Sequence, residues 1–183
     1  MHSTSDYPAM TSTSRVPREF FLQDALEVAP HLLGMTLVRT YTGGEIKRFI
    51  ITETEAYRGT GDLACHASKG RTPRTDVMFR EGGLVYVYFV YGMYWMLNFV
   101  TGRPNDASAV LIRGLDETKG PGRVGRMLGL DRSLYGEDLS TSHQLWVEDH
   151  RKGPVQFTTH PRVGIQYAGE PWVSMPWRFC MAP

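Results

Sequence analysis

The sequence predicts an α+β domain: a curved, mostly antiparallel β-sheet flanked by helices, with one β-hairpin protruding from it. Three observations lead there. Short apolar runs that alternate faces are joined by glycine turns, above all Leu84 to Asn98, LVYVYFVYGMYWMLN, with Gly92 at the bend. Helical patterns are few and do not alternate regularly with the strands, which argues against repeated βαβ units. The 183 residues fit one domain, and a hydrophobic content of 42% supplies a core and argues against wholesale disorder.

The Ser/Thr-rich start has no periodicity and reads as a flexible N-terminal segment over residues 1–17, with the domain proper over 18–183. Phe20 to Leu33 is apolar at helical spacing (Phe21, Ala25, Val28, Leu32), with Gly34 as a cap. Pro30 interrupts it, which predicts two short helices. Met35 to Tyr41 is a strand, Gly43-Gly44 its turn, and Ile46 to Thr54 the returning partner. Tyr57 to Gly83 is polar and glycine-rich, with Arg58, Lys69, Arg71, Arg74 and Arg80 against Asp62, Asp76 and Glu81. Loops of that length inside a compact domain are functional or disordered.

In the hairpin, strand alternation puts Leu84, Tyr86, Tyr88 and Val90 on one side and Val85, Val87, Phe89 and Tyr91 on the other. Ala109 to Leu115 is a further buried strand. In Lys119 to Arg126, KGPGRVGR, Pro121 suits a first helical position, and Val124, Met127 and Leu128 form an apolar stripe. Residues 131–152 read as a surface connection, and Arg162 to Gln166 as one more short strand.

The totals bound the function. No apolar run reaches the roughly 18 residues that suggest a membrane span. The N-terminus has neither the basic start nor the apolar core of a secretory signal, so the expected compartment is the cytoplasm. Two cysteines, Cys65 and Cys180, do not make a disulfide framework. A formal net charge of +1 neither demands nor excludes nucleic acid, so any basic patch must be local.

Several groups could carry chemistry. Glu53, Glu55 and Tyr57 share one strand face; the acids are either solvated edge charges or include a general base. Burial beside rings or a second acid would raise such a base's pKa, and an arginine would keep it ionised. His66 follows Cys65 without paired metal-ligand spacing, so it is a hydrogen-bonding group in a pocket or a satisfied structural histidine. Cys65 lacks the surroundings of a nucleophile. The glycines of KGPGRVGR could pass for a dinucleotide fingerprint, but the βαβ unit is missing; the stretch is a phosphate-facing helix start or an ordinary surface one. The tyrosine-rich hairpin is a sheet with its polar tips at the surface, or a platform for flat ligands with Tyr91, Met93 and Tyr94 at an exposed tip.

Together these pieces resemble the alkyladenine (3-methyladenine) DNA glycosylase family from about Phe20 to Phe179. The resemblance is carried by ETEAY (Glu53–Tyr57), DLACHASKGRTPR (Asp62–Arg74), VYVYFVYGMYWMLN and LIRGL, then KGPGR, RVGI and PWRF in order. It implies that Glu55 is the base activating a water against C1′ of the sugar. Arg113 and the backbone carbonyl of Val163 would help to hold that water. Tyr57, His66 and Tyr88 would wall a purine pocket, and Asn98 would reject the 2-amino group of normal guanine. Tyr91 would fill the gap left in the duplex, with Met93 and Tyr94 beside it and Arg123 on phosphate. The resemblance further implies a monofunctional, monomeric enzyme acting on double-stranded DNA that contains damaged purines, with no cofactor, no metal and no membrane. A lesion-binding module without catalysis and a hydrolase of free nucleosides stay open as alternatives.

Overall fold

The computed structural model describes residues 14–183. The expected flexible segment falls outside the described residues for residues 1–13. Of its remainder, Val16 is buried and its N–H bonds to the carbonyl of Val147.

Two short helices come first, α1 (Arg18–Phe21) and α2 (Ala25–His31). The break lies between them and not at Pro30, because the Asp24 carboxylate caps the N–H of Leu26 and starts a fresh helix there. Pro30 sits one residue from the end of α2, where it removes a single hydrogen bond. Strands β1 (Thr36–Thr40) and β2 (Ile46–Tyr57) form the first hairpin, turning at Gly43 and Gly44, both at positive φ. The long loop folds through single turns at His66–Lys69 and Asp76–Phe79. Then follow β3 (Val85–Val90), β4 (Tyr94–Thr101), β5 (Ser108–Leu115) and β6 (Thr118–Lys119). Helix α3 (Pro121–Met127) begins, as expected, with Pro121 in its first turn.

Three further strands complete the sheet: β7 (Leu145–Glu148), β8 (Phe157–His160) and β9 (Arg178–Met181). The path is β3-β4-β5-β2-β1-β7, all antiparallel, with β6 on β5, and β9 between β2 and β8. This corrects the reading of residues 131–152 as a surface connection. Leu134, Leu139, Leu145 and Val147 are buried, and β7 pairs with β1. It also corrects Arg162 to Gln166, which is a bend leading into a single turn at Gln166–Ala168; its partners are side chains and not a neighbouring strand.

The sheet has two differently covered faces. The helices lie on one, where Val85, Val87, Leu97, Phe99, Val110 and Ile112 meet Phe21, Val28, Leu32 and Val124. The polar loop lies on the other, where Cys65, Ala67, Val77 and Met78 meet Tyr86, Val100 and Ala109. A paired irregularity in β2 and β5 decides which residues reach this second face. The register shifts between Ile51 and Glu53, and again between Glu53 and Thr54. Before it Phe49 and Ile51 face the helices; after it Thr54, bonded to the carbonyl of Ala29, and Ala56 do so. Glu53, Glu55 and Tyr57 are thereby turned to the loop side, with Arg113 at the matching step of β5. Bulges of this kind re-aim side chains beside functional sites.

Candidate active site

Glu55 is fully buried on the loop side of β2. Its Oε1 accepts the backbone N–H of Val163 at 2.8 Å, and its Oε2 accepts the Tyr57 hydroxyl at 2.8 Å. The Arg113 Nε stands 3.5 Å from Oε1 and donates to Glu53 Oε1 at 3.2 Å; Arg178 reaches the same Glu53 oxygen at 3.0 Å. Burial dominates and raises the Glu55 pKa, while Arg113, the Val163 N–H, the Tyr57 hydroxyl and Arg162 pull it back down. The result is a desolvated carboxyl with donors fixed around it, the environment of a base whose proton affinity is brought toward neutrality.

Beside Tyr57 is a narrow recess of about 30 Å³, room for a water or two and well short of the range for small-molecule pockets. Tyr57, Cys65, His66, Met78, Tyr86, Tyr88, Asn98 and Ala109 line it. Three of its rings are locked edge to face or tilted: His66 to Tyr88 at 4.5 Å, Tyr86 to Tyr88 at 5.3 Å, and His66 to Tyr86 at 6.1 Å. The Tyr86 hydroxyl lies 3.0 Å from His66 Nδ1, with the Arg74 cation nearby. Desolvation, with Arg74 and Lys69 nearby, lowers the His66 pKa to about 4, so the ring is neutral at neutral pH. Asn98 is buried and spends its Nδ2 on the carbonyl of Tyr86, its cross-strand partner.

The hairpin tip is the opposite kind of place. Tyr91 is 86% exposed and Met93 58%. Tyr91 and Gly92 both have positive φ, 53° and 65°, and the Met93 N–H closes onto the Val90 carbonyl at 3.1 Å, which makes a type I′ turn. A bulky residue in the left-handed region costs about 1–2 kcal/mol, so the turn holds the Tyr91 ring outward at some strain. Tyr94 is half-buried instead, packed on α3. A Cβ at Gly122 would meet its ring at 2.8 Å, and one at Gly125 would meet the Trp95 carbonyl at 1.8 Å. Close approach of α3 to the hairpin root is therefore what Gly122 and Gly125 of KGPGRVGR serve. Arg126 lies 5.3 Å over the Tyr94 ring, and Arg123 is exposed. Among the described residues Lys119, Arg123 and Arg126 face no carboxylate, whereas Arg58 pairs with Asp24 and Arg71 and Arg80 with Asp76. A net charge near zero thus coexists with unneutralised cations beside the tip.

The structure brings Glu55, Arg113, Val163, Tyr57, His66, Tyr88 and Asn98 into one neighbourhood, and sets Tyr91, Met93, Tyr94 and Arg123 on the hairpin and the adjoining helix. Val163 touches Glu55 through its N–H. Sequence reasoning missed Tyr86, although it shares a strand face with Tyr88. It also missed the pocket walls Met78 and Ala109, and the buried pair of Asp62 and Arg162, for which no local pattern exists. Cys65 lines the pocket, but burial pushes its thiol up to about 12, which leaves it a poor nucleophile at neutral pH. Among the described residues no group of three His, Cys, Asp or Glu is placed to hold a metal ion, and no helix is long and apolar enough to cross a membrane.

The comparisons point one way. The model of the family described as methylpurine-DNA glycosylase matches residues 19–118 and 114–183. Curated relatives bearing the name "Putative 3-methyladenine DNA glycosylase" are similar over most of the chain. The Methanocella arvoryzae protein is 41% identical over 186 residues, covering 90% of each chain. The Legionella pneumophila (strain Lens) protein is 43% identical over 174 residues, covering 90% of this chain and 93% of its own. The Psychrobacter cryohalolentis protein is 37% identical over 187 residues, covering 86% of this chain and 88% of its own.

Proposed function

Since the chain belongs to the methylpurine-DNA glycosylase family, we propose that it flips alkylated or deaminated purines out of duplex DNA and hydrolyses their N-glycosidic bond. The observation that carries this is the Glu55 carboxylate, buried and gripped by the Val163 N–H and by the hydroxyl of Tyr57, a ring that lines the aromatic slot. Glycosylases act on a base taken out of the stack and held between rings. Here Tyr57 and Tyr88 offer the plates and a neutral His66 offers its ring edge to the purine. Asn98, fixed through Tyr86, is the group set to exclude a 2-amino substituent.

In the reaction, water gives a proton to Glu55 as its oxygen bonds C1′, and the C1′–N9 electron pair leaves with the base. Positive charge grows on the sugar as in glycoside hydrolysis, and the carboxylate beside it stabilises that charge. Arg113 keeps Glu55 ionised and helps to place the water together with the Val163 carbonyl. The product is free base and an abasic site; no lysine is used and no strand is cut. Tyr91 occupies the gap in the stack. Wedge insertion costs about a few kcal/mol per unstacked step, and stacking on rings returns roughly 1–3 kcal/mol per base, so the lesion decides the balance. Damaged pairs open more cheaply, and a cationic alkylated purine is the better leaving group.

The test is a panel of duplexes carrying 3-methyladenine, 7-methylguanine, hypoxanthine or 1,N6-ethenoadenine. Release of free base from at least one, lost in Glu55→Gln, supports the reading. No release from any of them ends it, and tight binding to an abasic analogue without turnover would make the chain a lesion-binding module. A nucleoside hydrolase would instead keep full activity in Tyr91→Ala.

A further inference from the structure

Asp62 and Arg162 form an ion pair whose two side chains are wholly out of solvent. Arg162 Nη1 donates to Asp62 Oδ2 at 2.6 Å and to the Ala56 carbonyl at 2.9 Å, and Nη2 donates to Asp62 Oδ1 at 3.0 Å. The guanidinium carbon lies 4.8 Å from the ring centres of both Tyr57 and Trp177. Asp62 also accepts the N–H groups of Arg58 and Ala64, each at 3.0 Å. Such pairs are expensive to desolvate and are often no more stable than an apolar filling, so stability alone does not account for one here.

Its neighbours do. The residue after Arg162 is Val163, whose N–H holds Glu55 Oε1. The ring stacked on the guanidinium is Tyr57, whose hydroxyl holds Oε2. The carbonyl it grips belongs to Ala56, between Glu55 and Tyr57. Through Asp62 the same pair fixes the loop that leads into Cys65 and His66. Apart from Arg113, each donor to Glu55 is thus one step from Arg162.

We propose that the Asp62–Arg162 pair is a positioning device for Glu55: it fixes the direction of both carboxylate oxygens. This rests on Glu55 being the base of a glycosylase. Arg162 favours the ionised form, after Arg113 and the two hydrogen bonds. The other groups facing Glu55 are Arg113 from β5, Tyr57 from β2, Tyr88 from β3 and Tyr167 from the turn after Val163, with Glu53 sharing Arg113.

Single-turnover base release measured against pH tests the proposal. Asp62→Asn removes a negative charge and leaves the cation, so the acid limb moves to lower pH. Arg162→Gln removes the cation and the tie to Val163; its limb moves to higher pH, and the plateau rate falls about 10²-fold, the scale of a 1 Å misplacement. Arg162→Lys restores the charge but not the fork, so it returns the limb toward wild type without restoring the plateau. Displacement in opposite directions is something that loosened packing does not produce. Where Arg162→Gln fails to fold, Asp62→Asn and Arg162→Lys carry the test. Folded variants with unmoved limbs and wild-type plateaus overturn the proposal. A wild-type protein that releases no base overturns the glycosylase reading instead.

Discussion

Within one hairpin, Tyr86 is 1% exposed and Tyr91 is 86% exposed. The first holds its hydroxyl against His66 Nδ1; the second stands on a strained turn in solvent. In the slot Tyr57, His66 and Asn98 are each tied to a protein partner before a ligand arrives, and the tip is a place where the partner has yet to be met. Preorganised donors act on charge that develops during a reaction, where reorganisation would cost rate. An inserting side chain needs only direction and stiffness, and these come from the I′ turn and from α3 packed on the hairpin root. Chemistry and insertion should therefore fail separately when either region is altered.

The largest separation is expected at Glu55. Glu55→Gln keeps the shape: the amide oxygen can take the Val163 N–H, and the amide nitrogen can donate to the Tyr57 hydroxyl. Base release should fall by ~10²–10⁴-fold, the span of a lost general base, while binding to lesion duplexes survives. Single-turnover assays paired with binding isotherms check both halves. Stability should move the other way. The folded pKa of Glu55 is raised, so ionising it costs folding free energy above its unfolded value of 4.5, and none below it. Urea titrations should show Glu55→Gln at least as stable as wild type at pH 7, with that advantage gone at pH 4.

At the tip, Tyr91→Ala should weaken flipping by about a few kcal/mol at most, on well-paired duplexes more than on mismatched or single-stranded ones. Comparing base release from the same lesion in paired and single-stranded oligonucleotides measures it. Equal losses on both substrates would erase the distinction between tip and slot.

Much of this division was legible beforehand. The alternation through Leu84–Asn98 sorted the hairpin faces correctly, and Glu53, Glu55 and Tyr57 were placed together on one face. The reasons were less accessible. The phase of β2 turns on a bulge near Thr52, which no residue type announces. Strands β7, β8 and β9 are four residues each and mixed in polarity, too short for a period to stand out. The bend at Arg162–Val163 carries β-branched residues and passed for a strand; its conformation is set by Asp62 and Glu55, a hundred residues earlier, and long-range pairs leave no local trace. The glycines of KGPGRVGR could pass for a dinucleotide fingerprint, and two of them make room for Tyr94 and Trp95.

A smaller effect is expected at His66. With its pKa at about 4 in the folded protein and 6.5 as the unperturbed value, stability is full above pH 6.5 and declines as pH falls toward 4. The loss is roughly 3 kcal/mol at most. His66→Gln, which cannot titrate, should show a shallower decline than wild type in urea midpoints taken from pH 7 to pH 4.5. Parallel curves would mean that the ring is solvated and that the slot is looser than its contacts imply.

The smallest effect belongs to the charges beside the tip. Arg123 is exposed, pairs with no carboxylate among the described residues, and follows Gly122, the α3 residue packed on the Tyr94 ring. A cation that meets one phosphate releases about one counterion, so its removal lowers the salt slope of binding by ~1 and weakens binding several-fold at low salt. Arg123→Gln should do this equally for lesion and undamaged duplexes, and leave the single-turnover rate at saturating protein unchanged. Arg80→Gln is the control, since Arg80 is already neutralised by Asp76 at 2.5 Å and should leave the slope where it was. If both substitutions changed the slope alike, the protein would be held by a diffuse field over its surface. If only Arg123→Gln does, the duplex lies across α3 and the hairpin root, where a tyrosine held outward on a stiff turn can enter it.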